Sequence, residues 1–467
     1  MADRVEPPPL FENVDINNKD KDDDLFQSAL EGPTIEEINK NYNVLEITEE
    51  LENVPINNQH NNSSMPSTME QVNPEEDSER DDRFLEITIT EPQKIGEGMG
   101  AYMAYRVSTR TNMSIFKKKE FAVSRRFSDF LGLHDKLTEK YLKVGRIIPP
   151  APEKSVIGMT KIKMSSQDGT PTNGGGDFVE RRRASLERYL RRTAQHPVLL
   201  EDQHFREFLE SDIELPKATS TSALSSAGVM RLFNKVGETV NKITYKMDET
   251  DPWFEEKLGH VESLEAQLRK LHASVEAMVS YRKELAHLTN GVSRSAAMLS
   301  ACEDHNTLSR ALSQLADTEE KVEALHIEQA NTDFFIFCEL LKDYLGLLGA
   351  VRDAFHERTK LFQHWQHAQQ MLAKKREVLT KLELAGKNEK FDQAKAELVE
   401  WESKVERGQE SFDKISQMIK KEMERFERCR IQEFKTMFIK YLENHMEHQA
   451  QLIKYWEAFL PEAKAIA

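Results

Sequence analysis

The chain has 467 residues, 31% of them charged, and a mean hydropathy of −0.63. That length allows two or three domains. A transmembrane helix is excluded, because the most apolar window, Phe334 to Val351, is broken by Glu339, Lys342 and Asp343, which a lipid-facing span would not carry. The net charge of −16 lies entirely in Met1–Phe84, with 22 acidic and 6 basic residues, leaving 58 of each sign in the rest. Overall charge therefore opposes no contact with an anionic surface. The opening ten residues carry Asp3, Glu6 and three prolines where a signal peptide needs an apolar core, and three scattered cysteines suit a reducing compartment.

Residues 1–83 are rich in Asn, Asp, Glu, Pro and Ser, and too poor in apolar side chains to offset the entropy of ordering. A disordered acidic tail is expected. Two apolar islands interrupt it, Pro9-Leu10-Phe11 and the acidic run ending in Asp24, Leu25 and Phe26. The second has the make-up of a peptide that docks in a basic groove.

Residues 84–215 read as a compact domain. Phe84–Thr90, Tyr102–Val107 and Glu120–Ser124 alternate as strands. The third runs into Arg125-Arg126-Phe127-Ser128-Asp129-Phe130 and a helix to about Tyr141, with Ser128 as the expected N-cap. An extended proline segment, Ile147 to Lys154, follows. Helices return at about Phe178–Arg192 and His204–Glu210. Ile95 to Gly100 has the look of a kinase glycine loop, but the spacing is wrong and neither His-Arg-Asp nor Asp-Phe-Gly follows, so it reads as a turn. Arg126, Lys154 and Arg182 sit on three separate elements, with the aromatic Phe127 beside the first. Guanidinium forks and a flat ring suit a phosphorylated sugar-like ligand.

These motifs, with Glu180-Arg181-Arg182-Arg183, closely resemble a phox-homology (PX) domain, a family that binds phosphatidylinositol 3-phosphate. The resemblance implies that Arg126 takes the 3-phosphate and that Phe127 lies under the inositol ring. Lys154 would serve the 1-phosphate side and Arg182 the ring hydroxyls. Many members carry Tyr where this chain has Phe127. Ile157 and Met159, after the lysine, would dip into lipid.

From about Ala223 to Met247, Val229, Leu232, Phe233, Val236 and Val240 form one apolar helical stripe flanked by Arg231, Lys235, Lys242 and Lys246. A linker and a helix lying in an anionic membrane surface are expected over residues 216–248. Trp253 to Leu460 then contains no proline, and Pro252 and Pro461 bracket it. Weak points at 302–306 and 385–388 divide it into three helices of about 50, 80 and 70 residues, an elongated bundle over residues 249–467. Phe334 to Val351 is apolar on nearly every side, which asks for cover by a second copy. Lys374, Lys375 and Arg376 form a basic cluster near the far end of the second helix. The pairs His364/His367 and His445/His448 lack the partners of a metal site.

A PX domain, an amphipathic helix and three long helices together resemble the sorting nexins that carry a Bin/amphiphysin/Rvs (BAR) domain. Glu328-Gln329-Ala330-Asn331, Glu400-Trp401-Glu402-Ser403 and Lys454 to Pro461 look like the branch formed by sorting nexins 1 and 2. The fold expected is an α+β PX domain, a three-stranded sheet plus helices, followed by an all-α BAR domain, an elongated three-helix coiled coil that dimerises. The resemblance implies that Lys374, Lys375 and Arg376 reach the membrane. It further implies a homodimer or a heterodimer with another BAR-type sorting nexin, and association with the retromer cargo-selective trimer. Asp24-Leu25-Phe26 would dock a FERM-type sorting nexin. The implied function is recognition of phosphatidylinositol 3-phosphate, or the 3,5-bisphosphate, on the cytosolic face of early endosomes. Tubules would form there for retrograde sorting to the trans-Golgi or plasma membrane. No cofactor, nucleic acid or catalysis is expected. The alternative is a lipid-anchored coiled-coil scaffold that does not remodel membrane.

Overall fold

The computed structural model describes residues 83–96, 102–152, 175–213, 215, 249, 251–384 and 388–466, all within one compact unit. The acidic tail, Lys154, Ile157, Met159 and the stripe from Val229 to Val240 lie outside the described residues, as do Asp24, Leu25 and Phe26.

Three antiparallel strands, β1 (Leu85–Ile95), β2 (Tyr102–Thr111) and β3 (Glu120–Arg126), pair in sequence order. β1 outruns the alternating stretch because the register shifts between Thr90 and Gln93, where Glu91 takes a φ of 49°, and pairing then resumes at Gln93↔Ala104. Ile87, Ile89, Tyr105, Val107 and Val123 face one side and are buried. Helix α1 (Phe127–Tyr141) supplies Phe130, Leu133 and Leu137 to that side, and α2 (Gly175–Gln195) supplies Leu186 and Leu190. The short α3 (Pro197–Leu200) and α4 (Gln203–Glu210) close the domain, with Phe208 meeting Phe130 edge-on at 4.9 Å.

The bundle begins with α5 (Pro252–Cys302). Pro252 sits in its first turn, where a missing N–H costs nothing, and Asp251 caps it by accepting from Trp253 N–H at 3.1 Å. The second rod has three parts: α6 (Asn306–Asp333), a π turn (Phe334–Cys338) and α7 (Glu339–Leu384). The third is α8 (Asn388–Lys464). It runs through Pro461, which the sequence reading took as its end. Only one further turn follows, closed by Ala465 N–H to Pro461 O at 3.1 Å, so the proline costs little there.

The apolar run from Phe334 to Val351 is also corrected. Its surplus face is covered within this chain, by the compact domain. The Arg181 guanidinium lies 4.0 Å from the Phe334 ring centre. Ile147 belongs to the same buried cluster as Leu341, Tyr344, Leu347 and Leu348. The sequence pattern showed that cover was needed but not from where, because a helix buried by a neighbouring domain and one buried by a second copy carry the same residues.

Two glycines fix how closely the domains approach. Gly145 turns the chain after α1 with φ 87°, and a Cβ there would stand 2.8 Å from Ile415 Cγ1 of α8. On α7, a Cβ at Gly346 would stand 2.9 Å from Pro150 Cγ. Gly145→Ala combines a left-handed backbone cost with a clash, so it should lower stability by about 2 kcal/mol or more, read as an earlier denaturant midpoint.

Candidate functional site

The strand-to-helix junction sends two adjacent arginines to opposite duties. Arg125 is buried; its Nε donates to Phe208 O at 2.9 Å and its Nη2 to Ser211 O at 2.5 Å. It satisfies carbonyls at the end of α4 that the helix leaves unpaired. Arg126 points the other way. Asp129 accepts its backbone N–H at 3.0 Å and its Nε at 2.9 Å, and Arg126 Nη2 donates to Leu215 O at 3.0 Å. The helix begins at Phe127, so the N-cap position belongs to Arg126, not to Ser128. The reaching-back role falls to Asp129 in the first turn, where a carboxylate also meets the positive end of the helix.

Arg181, Arg182 and Arg183 are successive on α2 and so point about 100° apart. Arg181 faces the bundle. Arg183 ties α2 to the sheet by donating to Ile89 O at 2.9 Å, and it pairs along the helix with Glu187 at 3.0 Å, which accepts Ile89 N–H at 2.8 Å. Arg182 lies between two rings, its guanidinium carbon 4.4 Å from the centres of both Phe127 and Phe178. It is only 6% exposed, and its Nη2 has no hydrogen-bond partner among the described residues. Burial lowers its pKa and the neighbouring Tyr105 opposes that; burial likewise raises the Tyr105 hydroxyl. Arg182 remains a cation at neutral pH.

Phe127 thus brings Arg126 and Arg182 together, with one ring face already occupied by the Arg182 guanidinium. A cavity of ≈ 330 Å³ lies between the compact domain and the bundle, lined by Pro150, Phe178 and Arg182 on one side and Phe334, Glu339 and Lys342 on the other; Arg126 and Phe127 do not line it. Phe178, Tyr105 and Asp129 carry no motif signal. The roles of Phe178 and Tyr105 come from the tertiary packing of α2 on β1, whereas Asp129, an acid three residues after Arg126, could have been read from the sequence as its anchor.

On α7 the basic cluster is less free than its sequence implies. Lys375 pairs with Glu397 of α8 at 2.6 Å and Arg376 with Glu402 at 3.0 Å. Lys381 pairs with Glu377 at 2.6 Å. Lys374 is exposed and makes no ion pair among the described residues.

Comparison with known proteins bears on what these elements are. The PX domain family matches residues 113–212, and the "Vps5 C terminal like" family matches residues 229–462. Sorting nexin-2 of Bos taurus is 56% identical over 393 residues, covering 84% of this chain and 75% of that protein. The chain belongs to the sorting nexin family. Human sorting nexin-1 is 50% identical over 445 residues, 95% of this chain and 84% of its own length. A solved structure of the SNX-BAR Mvp1 tetramer aligns at 17% identity and a TM-score of 0.48, over 80% of this chain and 99% of that one. The architecture is a PX domain with a three-stranded sheet and helices, followed by a helical BAR domain, in a family of membrane-associated trafficking proteins. Among the described residues no helix is long and apolar enough to cross a membrane.

The buried Arg125 and the exposed Lys374 should separate experimentally. Arg125→Ala leaves the Phe208 and Ser211 carbonyls short of this donor and should cost about 2–3 kcal/mol in a denaturant titration. Lys374→Ala should shift the same midpoint by no more than about 0.5 kcal/mol.

Proposed function

We propose that this sorting nexin binds phosphatidylinositol 3-phosphate through Arg126, Phe127, Lys154 and Arg182, and that it senses or generates curvature on the cytosolic face of early endosomes. The observation that carries the reading is the buried Arg182 guanidinium, gripped between two aromatic rings beside Arg126, its Nη2 unpaired among the described residues. A buried cationic donor without an acceptor is costly, and a headgroup phosphate or ring hydroxyl would relieve that cost. Asp129 holds the Arg126 fork in place before the ligand arrives, which lowers the entropy lost on binding.

Dimerisation follows from surface that the chain leaves uncovered. Leu285, Leu288 and Val292 on α5 are exposed, as are Leu442, Met446 and Ile453 on α8. Both stretches flank α6: Asn290 reaches Glu323, and Gln329 Nε2 lies 2.8 Å from His445 Nδ1. A second copy, or another BAR-type sorting nexin, would cover this belt, and joining two weak headgroup sites multiplies affinity for one membrane. Lys374, Lys375 and Arg376 would add attraction to anionic lipid of about 1 kcal/mol per cation near the surface, lost with salt. Their pairing with Glu397 and Glu402 weakens that contribution for two of the three. The stripe at Val229, Leu232, Phe233, Val236 and Val240, with Ile157 and Met159, would insert into the bilayer. The activity is recruitment and remodelling, without catalysis. The retromer trimer, and a FERM-type sorting nexin docked at Asp24-Leu25-Phe26, would supply cargo for retrograde tubules.

Arg126→Ala and Arg182→Ala should each abolish pelleting with liposomes that contain the 3-phosphoinositide; unchanged pelleting would refute the pocket. Leu285→Asp combined with Leu442→Asp should give a monomer in size-exclusion light scattering, and a persisting dimer would place the interface elsewhere. For the basic cluster, joint replacement by Gln is the cleaner test, since Glu would repel Glu397 and Glu402 within the bundle. Electron microscopy should then show liposomes undeformed where the unaltered protein draws tubes of regular diameter. Tubes from the Gln variant would reduce the cluster to solvated surface, and no tubes from either would favour a tether.

A further inference from the structure

We infer that Glu422 of α8 is a positioning residue that clamps the PX domain to the bundle, so that the headgroup pocket and the bundle's membrane surface meet one bilayer in a fixed mutual orientation. The inference rests on the pocket proposed above. Its physical basis is independent of it.

Glu422 is 3% exposed, and donors from three separate segments converge on its carboxylate. Ile147 N–H lies 3.2 Å from Oε2, and Arg146 Nη1 lies 3.3 Å from Oε1. His196 Nε2 stands 3.2 Å from Oε2, and Arg425, one turn along α8, donates to the same oxygen. Arg146, Ile147 and His196 belong to the PX domain, so one buried bundle carboxylate collects three of its donors.

The histidine is fixed by what it does at its other nitrogen. His196 Nδ1 accepts from Val198 N–H at 3.1 Å and Leu199 N–H at 3.3 Å, capping α3. Nδ1 therefore carries no proton, and Nε2–H is the donor to Glu422. Burial disfavours the charged ring, and His196 titrates below its ordinary range. Burial alone would raise Glu422, but His196, Arg425 and the Ile147 N–H outweigh it and hold the carboxyl below its usual range. The joint is a neutral imidazole between a helix cap and a charged carboxylate.

A second clamp repeats the logic one end further along. Arg192 of α2 reaches Asp343 of α7 at 2.5 Å and grips Glu433 of α8 in a two-pronged contact at 3.0 and 2.7 Å, while Tyr344 OH donates to Glu433 at 2.9 Å. Between the two clamps the Gly346–Pro150 contact leaves no room for a methyl group. Domains in one chain usually move against each other unless their interface is large and apolar. Here Ile147 is buried in the bundle core and charged groups are sealed around it. Undocking would trade these directed contacts to Glu422 for water and would expose the apolar surface around Ile147, and that exposure opposes it. A fixed orientation removes the rotational freedom that two tethered membrane-binding surfaces would otherwise lose on landing together.

The test uses the full chain and two unrelated ways of unseating the interface, Glu422→Ala and the wedge Gly346→Val. Spin labels carried by unnatural side chains at the exposed positions Thr90 and Gln409 report the domain separation. Calorimetry with soluble dibutanoyl phosphatidylinositol 3-phosphate reports the pocket. Co-sedimentation with vesicles of phosphatidylcholine, phosphatidylserine and phosphatidylinositol 3-phosphate reports the combined contact. The unaltered chain should give one narrow distance. Both variants should broaden it, bind the soluble headgroup within about twofold of the unaltered chain, and bind vesicles at least about tenfold more weakly. A distance that stays narrow in both variants, or one that broadens with vesicle binding unchanged, overturns the clamp. An unaltered chain that ignores the soluble headgroup defeats the pocket reading alone, and the distance measurement still decides whether the domains are locked.

Discussion

Three arginines in one turn of α2 hold the PX half of the structure in register with everything around it. A helix rotates by about 100° per residue, so neighbours in sequence cannot share a task. Arg181 lies on an aromatic ring of the bundle, Arg182 fills the slot between Phe127 and Phe178, and Arg183 bonds the edge of β1. One rigid element therefore meets the bundle, the headgroup site and the sheet at once. Any displacement of α2 would be felt at all three surfaces, which makes this helix the mechanical centre of the domain pair.

The same economy appears at the β3–α1 junction. Arg125 is spent on the carbonyls at the end of α4, which frees Arg126 to be held by Asp129 at the mouth of the site. Neither arginine could exchange roles with the other, because the strand's alternation fixes which side each leaves by. A structural arginine and a ligand-facing one can thus stand side by side in a motif with no outward difference between them.

Much of this was legible in the residues. The three strands, the helix after Phe127 and the breaks near 302–306 and 385–388 follow from period-two and helical spacing, which local sequence encodes directly. What escaped was tertiary. Phe178 and Tyr105 flank Arg182 because α2 packs on β1 beside β2, and nothing in their own neighbourhood signals it. The apolar surplus at Phe334 to Val351 signalled a need for cover but not its source. Ser128 had the chemistry of an N-cap, yet the helix starts one residue before it and a carboxylate in the first turn takes over. Lys375 and Arg376 looked like free charge because their acids, Glu397 and Glu402, arrive from the far side of a hairpin.

The π turn at Phe334–Cys338 has a consequence for how the second rod could vary. A π turn holds one residue more than an α turn of the same height, so it absorbs an extra residue without turning what lies beyond it. Loss of a single residue there would let the rod continue as uninterrupted α-helix, with Asp343 still toward Arg192 and Gly346 still against Pro150. The same loss in the regular turns of α6 or α7 would rotate the remainder of the rod by about 100° and turn those contacts aside. The five residues are therefore a slack point, where the rod tolerates a change of one residue in length without torsion of the arm.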